Sequence, residues 1–301
     1  MTTILLLGRH GQVGSELETP LAGLGNLVAL GHADLDLADP AAITATLARV
    51  RPHIVVNAAA YTNVDQAESQ RDQAMAVNCH GPAAIARHLK ISGGMLVHYS
   101  TDFIFDGTRH TPYREDDAPN PVNAYGATKL AGEQAIIASG VKHLILRTSW
   151  VYSARGSNFV TTMRNLARTR RELHVVNDQT GSPTWARTIA RVTRDVLERR
   201  TRNPALCHGV YHLASGGETS RFALAEKLIE LIGRDAAAAG FVRPALHAVD
   251  SSHFPTPARR PSYSVLDTRK LEGAFGIAMP RWEDDLEAFM RLPAEIPPHQ
   301  P

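Results

Sequence analysis

Tyr125 and Lys129 are the residues whose types and spacing most directly suggest chemistry. They stand four positions apart in the segment Asn-Ala-Tyr-Gly-Ala-Thr-Lys, so on a helix both side chains lie on one face. A phenol has a pKa near ~10, and an adjacent ammonium stabilises its anion. Such a tyrosine can give a proton to a developing alkoxide or take one from an alcohol. The pair therefore predicts carbonyl reduction or its reverse, although a surface pair on an amphipathic helix would have the same spacing.

Composition excludes several classes of protein. The chain has 301 residues, 44% of them hydrophobic, which is enough for one large domain or two closely packed ones. A net charge of +2 does not indicate binding to nucleic acid, and two cysteines do not make a disulfide framework. The sequence shows neither a secretion signal nor an apolar stretch near the ~18 residues of a membrane span. We therefore expect a cytoplasmic protein without nucleic-acid or membrane partners, and a homodimer is compatible with the sequence.

The first half of the chain alternates short apolar runs with longer helix-like segments. One helix start is clear, because Asp39 is a good N-cap residue and Pro40 suits the first helical position. The alternation predicts βαβ units and an α/β fold built on a Rossmann-type, doubly wound parallel sheet. The predicted buried strands are Thr3–Leu7, Leu27–Leu30, Ile54–Asn57, Met95–Ser100 and Leu144–Arg147.

After Trp150 the alternation becomes irregular, which indicates a smaller, mixed C-terminal substrate-binding lobe. The predicted organisation is a dinucleotide-binding domain of residues 1–149 with 186–208, a second lobe of residues 150–185 with 209–292, and a flexible, proline-rich tail of residues 293–301. The predicted strands here are Leu173–Val176 and Gly209–Leu213, and the predicted helices are Thr184–Arg200, Ser220–Ile232 and Pro280–Arg291.

Three glycines, Gly8, Gly11 and Gly14, follow the first predicted strand directly. Their spacing, G-x-x-G-x-x-G, is one residue wider at its start than the usual dinucleotide-binding fingerprint. Glycines let the backbone turn tightly and approach a pyrophosphate, and the N-terminus of the next helix offers free N–H groups. The loop therefore predicts nucleotide binding, with a plain strand-to-helix turn as the alternative.

The end of the second strand should select the nicotinamide cofactor. A carboxylate there binds the ribose hydroxyls of NAD, whereas a basic residue suits the phosphate of NADP. The sequence has Gly31 and His32 at this point, with Asp34 further along. Arg9 lies in the glycine loop, within possible reach of a 2′-phosphate. We therefore predict NADPH, with NADH as the alternative if Asp34 folds back to the ribose and Arg9 is only solvated.

Further motifs extend these signals over nearly the whole chain. Asn-Ala-Ala-Ala begins at Asn57 and Ser-Thr-Asp begins at Ser100, and together with the glycine loop and the Tyr–Lys pair they resemble an extended short-chain dehydrogenase/reductase. Five segments narrow the resemblance to the dTDP-4-dehydrorhamnose reductase family, which implies reduction of the C4 keto group of dTDP-4-dehydrorhamnose to dTDP-L-rhamnose by NADPH or NADH. These segments are Val64–Glu68, His98–Phe105, Arg147–Tyr152, Val176–Gln179 and Phe254–Pro261.

The resemblance implies roles for individual residues. Tyr125 matches the proton donor, Lys129 would lower its pKa, and Thr101 would bind the substrate oxygen. Arg260 matches an arginine that we expect to clamp the diphosphate, although Arg259 stands where the family has serine. The predicted cofactor contacts are Gly8, Arg9, Gly11, Gln12, Val13, Gly14, Asp36, Leu37, Ala59, Ala60, Tyr61, Tyr125 and Lys129, and the predicted contacts of the dTDP-sugar are Thr62, Thr101, Asp102, Trp150 and Arg260.

Two departures from the family pattern affect these expectations. The ribose-binding aspartate common at the end of the second strand is Gly31 here, which puts the use of NADH in doubt. Some members bind Mg²⁺ between subunits through glutamates. Glu16 matches one of them, but Arg187 stands where another carboxylate would be, so we predict no metal site.

Two alternative functions fit the same pattern. The first is a non-catalytic, nucleotide-binding regulatory subunit, since the regulatory subunit of methionine adenosyltransferase resembles this family. The presence of Thr101, Tyr125 and Lys129 argues against it. The second is a sugar-nucleotide epimerase or dehydratase, which retains its cofactor through the catalytic cycle and should copurify with it.

Overall fold

The computed structural model describes residues 1–202, 208–234 and 240–292. Its strands are β1 (Thr3–Leu7), β2 (Asn26–Leu30), β3 (Ile54–Asn57), β4 (Met95–Thr101), β5 (Lys142–Thr148), β6 (Val151–Tyr152), β7 (Glu172–Val176), β8 (Thr180–Gly181), β9 (Thr184–Trp185), β10 (Gly209–His212), β11 (Thr219–Ser220) and β12 (Ala245–Val249). Its helices are α1 (Gln12–Ala22), α2 (Pro40–Val50), α3 (Gln66–Ser69), α4 (Arg71–Met75), α5 (Gly81–Ser92), α6 (Ala124–Ala138), α7 (Phe159–Thr169), α8 (Ala186–Arg202), α9 (Arg221–Arg234), α10 (Arg269–Phe275) and α11 (Trp282–Met290).

The largest element is a six-stranded sheet with the order β10-β5-β4-β3-β1-β2. All five pairings in it are parallel. The order reverses at β1, which has β2 on one side and β3 on the other. The five strands predicted from apolar runs in the first half all lie in this sheet, so the predicted doubly wound α/β fold is confirmed. Ligands of such sheets bind at the carboxyl ends of the strands, where the order reverses.

Helices cover both faces of the large sheet. Alternate residues of each strand point to opposite faces and pack against these helices. On one side Ile4, Leu6 and Val97 pack with apolar residues of α1, α8 and α10. On the other side Leu5 and Val55 pack with residues of α2, α5 and α6. The two layers of helices hold the carboxyl ends of the strands at fixed positions relative to one another.

Strand β10 differs from the predicted domain organisation. It pairs with β5, with Gly209 opposite Leu144 and His212 opposite Arg147. The predicted first domain ends at residue 208, yet the large sheet extends beyond it. The physical reason is burial, since Tyr211 packs in the same core as Leu144. About sixty residues separate β10 from β5, so this pairing has no local signal.

The second half contains three two-stranded sheets, which pair β7 with β12, β8 with β11, and β6 with β9. A separate apolar core forms around Tyr152, Trp185 and Phe289, against α7, α9 and α11. The helix predicted from Thr184 begins only at Ala186, because Thr184 and Trp185 pair with β6 as strand β9. The predicted flexible tail, residues 293–301, lies outside the described residues.

Among the residues that the structure describes, no helix combines the length and apolar character that spanning a membrane requires.

Candidate active site

A cavity of about 770 Å³ opens at the carboxyl ends of the large sheet, where the strand order reverses. Its lining joins residues that are more than a hundred positions apart in the sequence. Three predicted residues, Arg9, Gly14 and Arg260, do not belong to this lining. The predicted residues that do line it are Gly8, Gly11, Gln12, Val13, Asp36, Leu37, Ala59, Ala60, Tyr61, Thr62, Thr101, Asp102, Tyr125, Lys129 and Trp150.

The glycine loop joins β1 to α1 and forms one end of the cavity. Gly8 has φ +82°, and a Cβ added there would lie 2.6 Å from the backbone N of Ala59. Gly14 acts through packing, because a Cβ there would lie 2.0 Å from the carbonyl oxygen of Gly8. Gly11 is the N-cap of α1 and gives it no side-chain cap. The positive N-terminal end of α1 therefore faces the cavity through Gly11 and Gln12, as binding of a pyrophosphate requires.

Arg9, which the sequence predicted to reach a 2′-phosphate, is bound within the chain and does not line the cavity. Its Nη2 lies 2.8 Å from Glu18 Oε2, and its Nη1 donates to the carbonyl oxygen of Ala29. Asp34 is also engaged, because its Oδ2 accepts a hydrogen bond of 2.8 Å from the backbone N of Gly31. The cavity at the end of β2 is instead lined by His10, Gly31 and His32.

Arg260, the predicted diphosphate clamp, is bound to a carboxylate within the chain. Its Nη1 and Nη2 donate to the two oxygens of Asp65 at 3.1 and 2.7 Å, and Nη1 also donates to Thr256 and Ala258. The guanidinium holds the pKa of the Asp65 carboxyl below its usual value. Asp65 and Arg260 are 195 positions apart, and no local pattern indicates that they pair.

Helix α6 positions Tyr125 through its first turn. The N-cap Asn123 accepts a hydrogen bond of 2.8 Å from the backbone N of Gly126. A Cβ on Gly126 would lie 2.1 Å from the carbonyl oxygen of Phe103, so the helix packs directly on the loop that follows β4. This close approach brings Tyr125 to Thr101, at the end of β4.

Burial dominates the acidity of Tyr125 in this structure. It raises the pKa of the phenol to about 12, while the hydrogen bond with the Thr101 side chain lowers it and the charge of Asp102 raises it. The dominant effect is therefore opposite in direction to the one expected from Lys129. The phenol is protonated at neutral pH, which is the form that a proton donor needs.

Lys129 is buried, with 2% of its surface exposed. Its Nζ donates a hydrogen bond of 2.6 Å to the carbonyl oxygen of Tyr99 and lies 3.2 Å from His98 Nε2. Burial lowers the pKa of Lys129 to about 8, against the opposing effect of Glu133. Lys129 is thus held inside the protein with a proton that it can lose under mildly alkaline conditions.

His98 and Asn57, which the sequence analysis named within motifs but gave no role, extend this polar chain into the core. His98 Nδ1 lies 3.1 Å from Asn57 Nδ2, and both side chains are buried. Burial and the charge of Lys129 lower the pKa of His98 well below its ordinary value, so the ring is neutral. The available signal was a histidine inside the apolar strand Met-Leu-Val-His-Tyr.

Asn78, which the sequence analysis did not name, lies in a π-helical turn at Ala76–His80. Its side chain accepts from the backbone N of Tyr61 at 2.9 Å and donates to the carbonyl oxygen of Tyr61 and to Thr128 Oγ1. It therefore ties the loop after β3 to helix α6. A π-turn often marks a functional site, but its sequence carries no such signal.

Trp150 and Asp102 lie at the opposite end of the cavity from the glycine loop. Trp150 has φ +44°, an uncommon conformation for a bulky residue. A Cβ on Gly181 would lie 2.4 Å from Trp150 Cε2, so Gly181 makes room for the indole. Asp102 accepts from Ser149 Oγ at 2.9 Å and from Thr101 Oγ1 at 3.2 Å, and burial raises its pKa.

The lining also includes Arg155, Gly156, Ser157 and Arg221, none of which the sequence motifs indicated. The first three belong to a loop that reaches the glycine loop. Next to them, Asn158 Nδ2 donates to Gln12 Oε1 at 2.9 Å. The second half of the chain therefore covers the glycine loop directly.

Glu16, which the family pattern suggested as a metal ligand, is paired within the chain. Arg187 Nε lies 2.9 Å from Glu16 Oε2. Across residues 1–202, 208–234 and 240–292, no group of three or more His, Cys, Asp or Glu side chains is arranged to hold a metal ion.

Comparisons with known proteins agree with this geometry. The family described as "RmlD substrate binding domain" matches residues 1–293. A dTDP-4-dehydrorhamnose reductase from Burkholderia thailandensis is 44% identical over 282 residues, which cover 93% of this chain and 95% of the relative. The chain belongs to the dTDP-4-dehydrorhamnose reductase family. The family predicted from the motifs is confirmed, and with it the class of enzyme, an oxidoreductase.

Solved structures of the family have the same fold. A dTDP-4-dehydrorhamnose reductase from Clostridium acetobutylicum gives a TM-score of 0.88 at 35% identity, covering 96% of this chain and 98% of the other. The reductase from Bacillus anthracis in complex with NADP gives a TM-score of 0.86 at 33% identity, covering 96% and 99%. A fold shared over nearly the full length of both chains places the cavity described above within the common architecture of the family.

Proposed function

We propose that the protein reduces the C4 keto group of dTDP-4-dehydrorhamnose to give dTDP-L-rhamnose in dTDP-rhamnose biosynthesis, with NADPH as the preferred hydride donor and NADH as the alternative. One observation carries the proposal. Thr101, Tyr125 and Lys129 line the same cavity as the glycine loop and the N-terminus of α1. A hydride donor and a proton donor can therefore act on one carbonyl group.

Different residues of the cavity would bind the cofactor and protonate the substrate. A nicotinamide cofactor bound in this cavity would supply a hydride to the C4 carbon. Gly11, Gln12 and the helix N-terminus bind its pyrophosphate. As negative charge develops on the C4 oxygen, Tyr125 gives it the phenolic proton and Thr101 holds it by a hydrogen bond.

Lys129 acts on the charge that this transfer leaves behind. After donating its proton, Tyr125 carries a negative charge in a site whose burial disfavours charge. The Lys129 ammonium, held by the carbonyl oxygen of Tyr99, compensates part of it. We therefore assign Lys129 to the stabilisation of the tyrosinate as it forms, rather than to lowering the pKa of Tyr125 beforehand.

The preference for NADPH is supported by the end of β2. His10, Gly31 and His32 line the cavity there and offer imidazole groups and backbone to a 2′-phosphate, while the Asp34 carboxylate is occupied by the backbone N of Gly31. The related Bacillus anthracis reductase was solved in complex with NADP. Arg9 joins this contact only if it leaves Glu18.

The direct test is cofactor oxidation by the purified protein with dTDP-4-dehydrorhamnose, followed by absorbance with each nicotinamide. We expect turnover with both and a higher kcat/KM with NADPH. No oxidation despite tight cofactor binding would indicate a regulatory subunit, and stoichiometric bound NAD in the purified protein would indicate an epimerase or dehydratase. A kcat/KM for NADH about tenfold or more above that for NADPH would refute the cofactor preference.

A further inference from the structure

Arg221 is a cavity residue with no role in the proposed reaction so far. It is the first residue of α9, directly after β11, which pairs with β8. Its guanidinium carbon lies 3.6 Å from the centre of the Trp150 ring and 5.0 Å from that of Phe159. A guanidinium that stacks through its face keeps its N–H groups at its edge, where they can bind an acceptor.

The edge of this guanidinium has no acceptor within the described part of the chain. Two other arginines differ, since the buried Arg147 lies 2.7 Å from Glu133 and the half-buried Arg260 lies 2.7 Å from Asp65. Asp102 is the nearby carboxylate that attracts Arg221, but its oxygens accept hydrogen bonds from Ser149 and Thr101. Because Arg221 lines the cavity, its N–H donors are open to an acceptor on a ligand bound there.

The surroundings of Arg221 within the chain disfavour its positive charge. Burial lowers the pKa of Arg221 to about 10, so it remains a cation at neutral pH. A cation in the first turn of a helix is unfavourable, because the helix dipole is positive at that end. Arg260 is close enough to lower the pKa of Arg221 further. An anion bound at Arg221 would offset the effects of burial, of the helix dipole and of the charge of Arg260.

We propose that Arg221 donates hydrogen bonds to the diphosphate group of the sugar nucleotide, with Trp150 as its stacking platform. This inference rests on the proposed function, which supplies the diphosphate. The planar fork of arginine matches two phosphate oxygens, and stacking on Trp150 fixes the orientation of that fork. Arg221 thus takes the role that the sequence motifs gave to Arg260, which Asp65 holds.

Binding of dTDP to the enzyme loaded with NADPH, measured by calorimetry, tests the inference without turnover. Arg221→Gln removes the charge, and we expect the Kd for dTDP to rise at least about tenfold. Arg221→Lys keeps the charge but not the fork, and we expect a rise of about threefold or more. The matched control is Arg164→Gln, because Arg164 also contacts an aromatic ring, that of Phe289, and does not line the cavity. We expect it to bind dTDP like the wild type.

Two results would overturn the inference. One is an unchanged affinity for dTDP in Arg221→Gln, or in Arg221→Lys if the first variant does not fold. The other is unchanged dTDP binding with a raised KM for the complete sugar nucleotide, which would place Arg221 on the sugar. Turnover of the wild-type enzyme is measured separately, so a failure of the proposed function would not be confused with either result.

Discussion

Tyr125 and Lys129 show that burial acts on an acid and a cation through the same physical effect. It raises the pKa of Tyr125 to about 12 and lowers that of Lys129 to about 8, because both neutral forms are favoured away from water. A reductase begins its chemical step with a protonated acid, so the raised pKa of Tyr125 suits that direction. Lys129 must keep its proton against burial, and its two close polar neighbours then matter.

The role of Tyr125 predicts a loss of the chemical step without a loss of binding. In Tyr125→Phe the ring remains but the proton donor is gone, so we expect kcat to fall at least about 100-fold. The Kd for NADPH, measured by fluorescence titration, should stay within about twofold of the wild type. A much smaller fall in kcat would mean that another group protonates the substrate.

The pKa of Lys129 predicts the alkaline limit of the reaction. The kcat/KM for the sugar nucleotide reports ionisation in the enzyme form that binds it, so it should fall as the pH rises through about 8, where Lys129 loses its proton. A profile that stays flat to well above this pH would rule out a requirement for the ammonium. The measurement is kcat/KM for the sugar nucleotide at saturating NADPH across the pH range.

The same residue predicts a pH dependence of stability. The pKa of Lys129 is lower in the folded protein than its ordinary value of 10.5, so between about 8 and 10.5 the unfolded chain binds more protons. The contribution of Lys129 to the free energy of unfolding therefore rises with pH over this interval. Urea denaturation across this pH interval should show that the free energy of unfolding of the wild type rises relative to that of Lys129→Met. A constant difference would contradict the lowered pKa.

At the scale of elements, the sequence predicted features that depend on neighbouring residues and did not predict contacts between residues far apart in the chain. The strands of the large sheet appeared as apolar runs, and the four-residue spacing of Tyr125 and Lys129 already placed them on one helical face. The side chains that hold Lys129 and Trp150 were not predictable. His98 lies in β4 and contacts Lys129 in α6. Arg221 stacks on Trp150, 71 positions earlier in the chain. Such contacts depend on the packing of whole elements, which composition and spacing do not encode.

The close packing of α6 on the loop after β4 predicts a marked effect of one methyl group. In Gly126→Ala the added Cβ meets the carbonyl oxygen of Phe103, so α6 must shift and Tyr125 moves away from Thr101. A displacement of this kind can cost about 100-fold in kcat. Steady-state kinetics and thermal denaturation together give the result.

Gly273→Ala is the matched control, because Gly273 also lies in a helix, α10, and an added Cβ there meets nothing within 4 Å. We expect normal kcat and a free energy of unfolding raised by up to about 1 kcal/mol, since alanine favours a helix. Equal activity of the two variants would show that α6 does not set the position of Tyr125.

At the scale of the whole molecule, the second half of the chain closes over the cofactor end of the cavity. Asn158 caps α7 through a capping box and also donates to Gln12 Oε1. One side chain thereby connects the start of a helix in the second half to the glycine loop. The sequence predicted the glycine loop but neither helix α7 nor this connection, which joins side chains 146 positions apart.

Replacing Asn158 by aspartate separates the two roles. Aspartate is as good an N-cap as asparagine, so the cap of α7 is kept; the Nδ2 donor to the carbonyl oxygen of Ser153 is lost, and we expect the melting temperature of Asn158→Asp to fall by about 2–4 °C. The donor to Gln12 is lost and a negative charge is added beside the predicted pyrophosphate site, so the Kd for NADPH should rise about tenfold. Unchanged cofactor affinity would mean that this connection does not support binding.

The backbone of Trp150 has a consequence for how this protein can change over evolution. An indole at position 150 requires the absence of a side chain at position 181, and its φ of +44° would be relaxed only by glycine, asparagine or aspartate. A lineage that gains a side chain at 181 must therefore first, or simultaneously, shrink residue 150. Among relatives, the residues at positions 150 and 181 should therefore covary. Sequences that combine a tryptophan at 150 with a side chain larger than hydrogen at 181 should be rare.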